Sequence, residues 1–269
     1  RDVVSDDSFN ETIRLSESNE ALRVIVGFEN LSKLVGGFNP GRVGMLIART
    51  GFGKTNFAVS LAVAISKSYN VLFANMEMIA QDFYEKMMMC ACKISFDQLK
   101  KKPRDRLNDI INFKKQLSDR NKNIYYTEGG TLSVDELRSF CLKIKKTTSL
   151  EFLIVDYDQK IEVKTSRDTP EWKALQIAVE TLEKMAKDLN IYILLLAQEV
   201  SGDVGASKRS KNATSVVLRF AKGSVSSFDK TKPITEAYAE ISKNNDVFYL
   251  QAIKNRFGPS GYGIEVEYK

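Results

Sequence analysis

The chain has 269 residues, 43% of them hydrophobic, with a net charge of +6 and no histidine. That length suffices for one large α/β domain, while the missing histidine excludes His-based acid–base catalysis. No apolar run reaches the length of a membrane span and no signal peptide opens the chain, and the positive charge permits a polyanionic partner without requiring one.

Residues 1–23 are polar and carry no core pattern, which predicts a linker or arm ahead of a single domain over 24–269. The first residue is Arg1, which predicts a fragment or processed form. Leu31, Leu34 and Val35 have helical spacing, and Gly36-Gly37 stop that short helix. Asn39-Pro40-Gly41 is a turn into an apolar strand over 43–47. There follows Ala48-Arg49-Thr50-Gly51-Phe52-Gly53-Lys54-Thr55, then a helical pattern from Asn56.

A buried strand, a glycine turn and a helix make a phosphate-binding loop. Gly51 and Gly53 let the backbone turn tightly against an anion. Free amides and the dipole at the helix start favour a triphosphate there. Lys54 can reach the β- and γ-phosphates of ATP, and the Thr55 hydroxyl can ligate magnesium. The nucleotide-binding set is therefore Arg49, Thr50, Gly51, Phe52, Gly53, Lys54, Thr55 and Asn56. The usual pattern opens with glycine, and Ala48 takes that place here. A plain glycine turn is the alternative, and the order of strand, Gly-Lys-Thr and helix argues against it.

Residues 71–75 form a short buried strand with Glu77 just beyond it. Ligand-facing groups of parallel sheets sit at such strand ends, so Glu77 lies near the loop if the two strands are neighbours. It could take a proton from the water that attacks the γ-phosphate; a solvated glutamate is the other reading. A helix over 81–92 follows. Cys90, Cys92 and Cys141 are odd in number, which predicts reduced thiols, buried on helices, in a cytoplasmic protein. Residues 100–122 read as one charged surface helix, and 123–126 as a strand. Ser133-Val134-Asp135-Glu136 is a capping box that starts a helix to about Lys146.

Residues 152–157 read as a fully buried strand that carries Asp156 at its end, suited to hold magnesium because a hard cation takes oxygen ligands. Thr169-Pro170 is expected to cap a helix over 171–189. Another apolar strand ends at Gln198, whose neutral amide could feel the γ-phosphate. Residues 204–224 contain Lys208, Arg209, Lys211, Arg219 and Lys222 and no acid, with the small polar composition of a mobile loop. Those cations could neutralise the phosphates of a nucleic-acid strand; a solvated surface loop is the alternative. Residues 247–253 and 263–268 read as a hairpin. Lys254 and Arg256, two apart, point to one face and could reach a neighbouring subunit's γ-phosphate. The alternation of strands and helices predicts a mostly parallel sheet with an antiparallel C-terminal ribbon.

Taken together, these residues resemble the C-terminal motor domain of the DnaB-type replicative helicases, RecA-like hexameric ATPases. The resemblance rests on Gly27-Phe28, Gly36 to Gly41, the Gly-Lys-Thr loop, Met76-Glu77-Met78, Asp156-Tyr157, Gln198, and Lys254-Asn255-Arg256 with Gly258, Pro259 and Gly261. It implies a RecA-like phosphate-loop α/β fold with a C-terminal hairpin. It implies Glu77 as the strand-end glutamate, Asp156 as the magnesium aspartate and Gln198 as the γ-phosphate sensor. Lys254 and Arg256 become the trans-acting lysine and arginine finger. A homo-hexamer with ATP and Mg2+ between subunits, moving 5′-to-3′ on single-stranded DNA, follows from the same resemblance, with primase and a helicase loader as further partners and no membrane. The text departs after Gln198, where Glu199-Val200-Ser201 replaces the family's arginine-rich segment. A helicase motor is the first expectation. A recombinase or clock-type ATPase is the alternative, and a non-catalytic interaction protein is disfavoured by the intact Lys54, Thr55, Glu77, Asp156 and Arg256.

Overall fold

The computed structural model of the chain describes residues 25–101, 107–119, 123–128, 130–156, 161–163, 169–198, 214–222, 248–258, 260–261 and 263–266. The apolar runs become strands β1 (Arg42–Ala48), β2 (Val71–Asn75), β3 (Ile124–Thr127), β5 (Phe152–Asp156), β7 (Tyr192–Gln198), β8 (Val216–Lys222), β9 (Phe248–Asn255) and β10 (Gly263–Val266). They form one sheet in the order β10-β9-β8-β1-β7-β5-β2-β3. From β8 to β3 every pairing is parallel, and β9 and β10 add the expected antiparallel ribbon. A two-stranded sheet of β4 (Leu132–Ser133) and β6 (Ile161–Glu162), unforeseen in the sequence, stands apart.

Parallel strands need both faces covered, which is why β1, β2 and β5 are continuous apolar runs. Side chains alternate across the sheet. Leu46 and Ala48 of β1 enter one core with Phe73, Ile154 and Leu196. Val43, Met45 and Ile47 enter the other with Leu153, Val155 and Leu195. The first face is covered by α2 (Lys54–Ile65), whose Phe57, Ala58 and Leu61 are buried there, with Phe83 of α3 (Ala80–Cys92). The second is covered by α6 (Val134–Lys145) and α7 (Glu171–Leu189). The remaining described helices are α1 (Glu29–Leu34), α4 (Phe96–Lys101) and α5 (Leu107–Asp119).

Several local expectations hold and others are corrected. The capping box is formed: Ser133 Oγ accepts from Glu136 N–H at 3.2 Å and Glu136 Oε2 accepts from Ser133 N–H at 2.7 Å. Of the charged stretch expected as one helix, Lys100 belongs to α4 and residues 107–119 form α5, which buries no residue, as expected of a solvated helix; residues 102–106 and 120–122 lie outside the described residues. Thr169 does not cap α7: Pro170 occupies the N-cap and no side-chain cap bond forms. Cys141 is buried, whereas Cys90 and Cys92 of α3 are only half-buried, Cys90 lying against the first core with its Sγ 3.0 Å from Ser60 Oγ of α2.

Candidate nucleotide-binding site

β1 delivers the chain to the site. Ala48 is its last residue, extended between Gln198 of β7 and Phe220 of β8 and buried. A position held in the ladder needs no glycine, which accounts for alanine where the usual motif opens with Gly. Beyond it the backbone reverses: Phe52 N–H donates to the Arg49 carbonyl at 3.3 Å, and Gly51 and Gly53 take φ of 79° and 83°. A Cβ on Gly51 would meet nothing within 4 Å, so the sign of φ rather than crowding calls for glycine there. Gly53 is the N-cap of α2, and no side chain caps that terminus. Its first amides and the positive end of the helix dipole are thus presented at the loop.

Thr55, in the first turn of α2, donates its hydroxyl to Asp156 Oδ2 at 2.8 Å. Asp156 ends β5 and is fully buried. A hydroxyl and a buried carboxylate converging beside an open anion cradle are an all-oxygen donor set of the kind a hard divalent cation takes, so Thr55 and Asp156 fit magnesium with phosphate. Arg49 is exposed, and Phe52 packs partly against the first core. The Asn56 side chain is engaged by α3, with Lys86 Nζ donating to its Oδ1 at 2.7 Å.

Glu77 is exposed just past β2. β2 is not the neighbour of β1, for β7 and β5 stand between them. Glu77 instead approaches from beyond Asp156, since Met76 N–H donates to the Asp156 carbonyl at 2.9 Å. Gln198 lies directly beside the loop: it is the Cα partner of Ala48, and its Nε2 donates to Thr50 Oγ1.

Lys254 and Arg256 occupy the opposite end of the sheet. β9 runs antiparallel to β8, so Lys254 stands against Val217 and Asn255 against Val216 at the start of β8. Lys254 is thereby level with Met45 of β1 and Arg256 with about Val43, three to five residue steps, roughly 10–17 Å, from Ala48 at the start of the phosphate loop. Lys254 Nζ donates to the Thr214 carbonyl at 2.7 Å and Arg256 N–H to the Ser215 carbonyl at 3.1 Å. Arg256 lies one residue past the end of β9, so the two are not on one strand as expected, although both act on Glu183 of α7. Burial pushes the Glu183 carboxyl up while Arg256, Lys187 and Lys254 oppose that rise. Burial, with Arg256 beside it, pulls Lys254 down. The base of the tip is fixed by Asn255 Nδ2 on the Leu34 carbonyl at 2.8 Å, and by the Arg42 guanidinium 3.4 Å over the Phe257 ring. Glu183 and Arg42 are distant in sequence, and no spacing rule marks them as partners of this tip.

The basic segment is corrected in part. Residues 216–222 are strand β8, not a loop, and Arg219 is buried at 4% exposure on the same sheet face as Gln251. Lys222 ends that strand. Lys208, Arg209 and Lys211 lie outside the described residues. No described helix is long and apolar enough to cross a membrane.

The family model for the DnaB-like helicase C-terminal domain matches residues 24–215. The chain is similar to the replicative DNA helicase DnaB of Mycoplasma genitalium, 27% identical over 252 residues, covering 87% of this chain and 52% of that protein. It is similar to the replicative DNA helicase DnaB of Geobacillus stearothermophilus, 24% identical over 255 residues, covering 91% and 55%. The chain thus spans about half the length of the curated relatives it matches. A solved ATPase domain superposes with a TM-score of 0.79 at 19% identity, over 98% of this chain and 95% of its own. A structure of a DnaB-like replicative helicase and its interactions with primase gives 0.77 at 19% identity, over 98% and 64%. At such identities the likeness establishes the fold, the RecA-like phosphate-loop ATPase fold with a mostly parallel sheet expected from the sequence.

Proposed function

The chain belongs to the DnaB-like helicase C-terminal domain family, and from that premise we propose that it is the ATP-hydrolysing motor of a replicative DNA helicase. Residues 24–269 form the motor and 1–23 a linker or arm ahead of it. The observation that carries this reading is the separation of two half-sites on one sheet. The phosphate loop with Thr55 and Asp156 is at one end, and Lys254 with Arg256 is at the other. A pair of cations roughly 10–17 Å back along the sheet from its own loop serves a neighbour's nucleotide, so the motor works as a homo-oligomer, here a hexameric ring.

Bound magnesium-ATP supplies the phosphoanhydride whose hydrolysis powers movement. The loop amides at Gly51 and Gly53 and the Lys54 ammonium hold the phosphates, while Thr55 and Asp156 offer oxygens to the metal. Glu77 takes the proton of the attacking water. Gln198, tied to Thr50, feels the loss of the γ-phosphate and passes it to the segment after β7. Arg256, with Lys254 beside it, reaches the neighbour's γ-phosphate and stabilises charge in the transition state.

Lys208, Arg209, Lys211 and Lys222 belong to the set that touches single-stranded DNA during 5′-to-3′ movement. Arg219, buried in β8, is withdrawn from it. Primase and a helicase loader are partners of the ring, and the setting is cytoplasmic. Forked-DNA unwinding with ATP and magnesium, run on protein of measured oligomeric state beside Lys54→Ala, tests the reading. Unwinding that Lys54→Ala abolishes is expected. ATP hydrolysis by a ring that neither unwinds nor moves on single strands would replace the helicase with an assembly-controlling ATPase.

A further inference from the structure

Asn75 ends β2 two residues before Glu77 and is fully buried, although asparagine is a poor strand residue. Its Oδ1 accepts from Met78 N–H at 2.9 Å and Glu77 N–H at 3.3 Å. That is an Asx turn, in which a side chain mimics the backbone and fixes the next two residues. Its Nδ2 donates to the Met78 carbonyl at 2.5 Å and to Tyr126 Oη at 2.7 Å. Tyr126, on the edge strand β3, donates its own hydroxyl to the same Met78 carbonyl at 3.0 Å. Its ring is stacked on Phe83 of α3, centroids 4.4 Å apart, so the hydroxyl is held from both sides. One residue past the end of β3, Glu128 Oε1 accepts from Ala80 N–H at 3.1 Å, closing the N-terminus of α3.

These contacts form one closed circuit around Met76–Ile79, the turn that carries Glu77. Burial, with the Glu128 carboxylate nearby, pushes the Tyr126 phenol up, so it stays a donor at neutral pH. The polar groups of Asn75 have no other evident task. A buried amide is costly unless satisfied, and here it is satisfied only by the turn and by Tyr126.

We propose that Asn75, supported by Tyr126, is the positioning residue for the Glu77 carboxylate: it fixes the backbone from which that base projects. This rests on the motor reading, in which Glu77 takes the water's proton. The side-chain bonds of the circuit run to the turn and to Tyr126 rather than to the phosphate loop or Thr55. The circuit adjoins Asp156 through backbone, Asn75 being its ladder partner and Met76 N–H donating to its carbonyl, so nucleotide binding survives while the base drifts. A misplacement of about 1 Å at a reacting group can cost up to about a hundredfold in rate.

The test uses Asn75→Ala, Asn75→Ser, Tyr126→Phe and Glu77→Gln in the full chain, with steady-state ATP hydrolysis, affinity for a fluorescent ATP analogue and amide exchange of the 75–80 segment. Asn75→Ala is expected to lower kcat about ten- to a hundredfold with KM and nucleotide affinity within about twofold. Asn75→Ser keeps an oxygen that can accept from the turn and recovers part of the loss. Tyr126→Phe keeps the ring and loses only the hydroxyl, giving a smaller fall in kcat. Exchange at Glu77 and Met78 speeds up in Asn75→Ala. Added to Glu77→Gln, Asn75→Ala costs nothing further, because both act through one carboxylate. An additive loss in that double variant, or KM and kcat worsening together, overturns the proposal. So does unchanged exchange at Glu77 and Met78, which is readable whether or not the protein hydrolyses ATP. A wild-type protein without ATPase activity sinks the motor reading, and with it the catalytic purpose of the circuit.

Discussion

Gln198 Nε2 donates to Thr50 Oγ1 at 2.5 Å, joining the end of β7 to the phosphate loop across a separation of 148 residues. The bond ties a neutral strand-end amide to the loop proposed to hold the nucleotide, whose charge changes when phosphate leaves. Gln198→Ala is expected to keep nucleotide affinity within about twofold and to lower kcat by about tenfold or more, as for loss of a single transition-state donor. Stimulation of hydrolysis by single-stranded DNA falls with it. Rates with and without DNA, set against affinity for a fluorescent ATP analogue, check this; an unchanged DNA-stimulated rate sinks the sensor role.

Arg256 stands toward the other end of the sheet from its own phosphate loop, and the loop it is proposed to serve is a neighbour's. Arg256→Ala is expected to bind nucleotide nearly normally and hydrolyse about a thousandfold more slowly. Lys54→Ala hydrolyses nothing. Mixing the two inactive proteins creates interfaces with an intact loop from one and an intact arginine from the other, so some activity returns. A rate independent of protein concentration in a verified monomer, unaffected by Arg256→Ala, would dispose of the shared site.

Gly44 of β1 lies under Tyr192. A Cβ there would sit 2.1 Å from the Tyr192 hydroxyl oxygen and 3.1 Å from the ring carbon that bears it. Gly44→Ala is expected to cost about 1–3 kcal/mol by overpacking, seen as a Tm lower by about 2–4 °C per kcal/mol. Removing the oxygen relieves the tighter contact, so Gly44→Ala with Tyr192→Phe is more stable than Gly44→Ala alone. Calorimetry on the three variants decides; a double variant no better than the single one would place the strain elsewhere.

Cys141 is buried in α6 and its thiol is pushed up from 9.0 to about 12 by burial, with Lys145 and Arg138 opposing weakly. At pH 8 its thiolate fraction falls from about one in ten to about one in ten thousand. Native protein is therefore expected to react with an alkylating reagent at Cys90 or Cys92 before Cys141, and all three should react once unfolded. Mass spectrometry of the labelled peptides reads this directly; early labelling of Cys141 would refute its burial.

The parts legible in the sequence were those with a local cause. The phosphate loop shows itself through glycine spacing and the strand before it, and the Ser133 capping box through four consecutive residues. What was missed depends on contacts distant in the chain. β8 reads as loop in the sequence because Ser, Gly and Lys dominate its flanks. Its own residues, Val216 to Lys222, are a buried strand because β1 and β9 pair with it on either side. The position of β2 is a matter of strand order, which periodicity does not carry. Asn75 did offer a signal, since an asparagine closing an apolar strand is a turn-former in a place that disfavours it.

The reversal of direction between β8 and β9 sets the arithmetic of assembly. If Arg256 serves a neighbour's loop as proposed, then with the loop toward one end of each sheet and the arginine toward the other, subunits would meet head to tail. An open row of n such subunits then holds n − 1 complete sites and one loop with no arginine opposite it. Only closing the row removes that vacancy, and head-to-tail contacts close when their rotation completes a circle. In such a closed assembly each subunit would have a like neighbour on both sides, and the order of hydrolysis around it would take its hand from the antiparallel pairing of two strands.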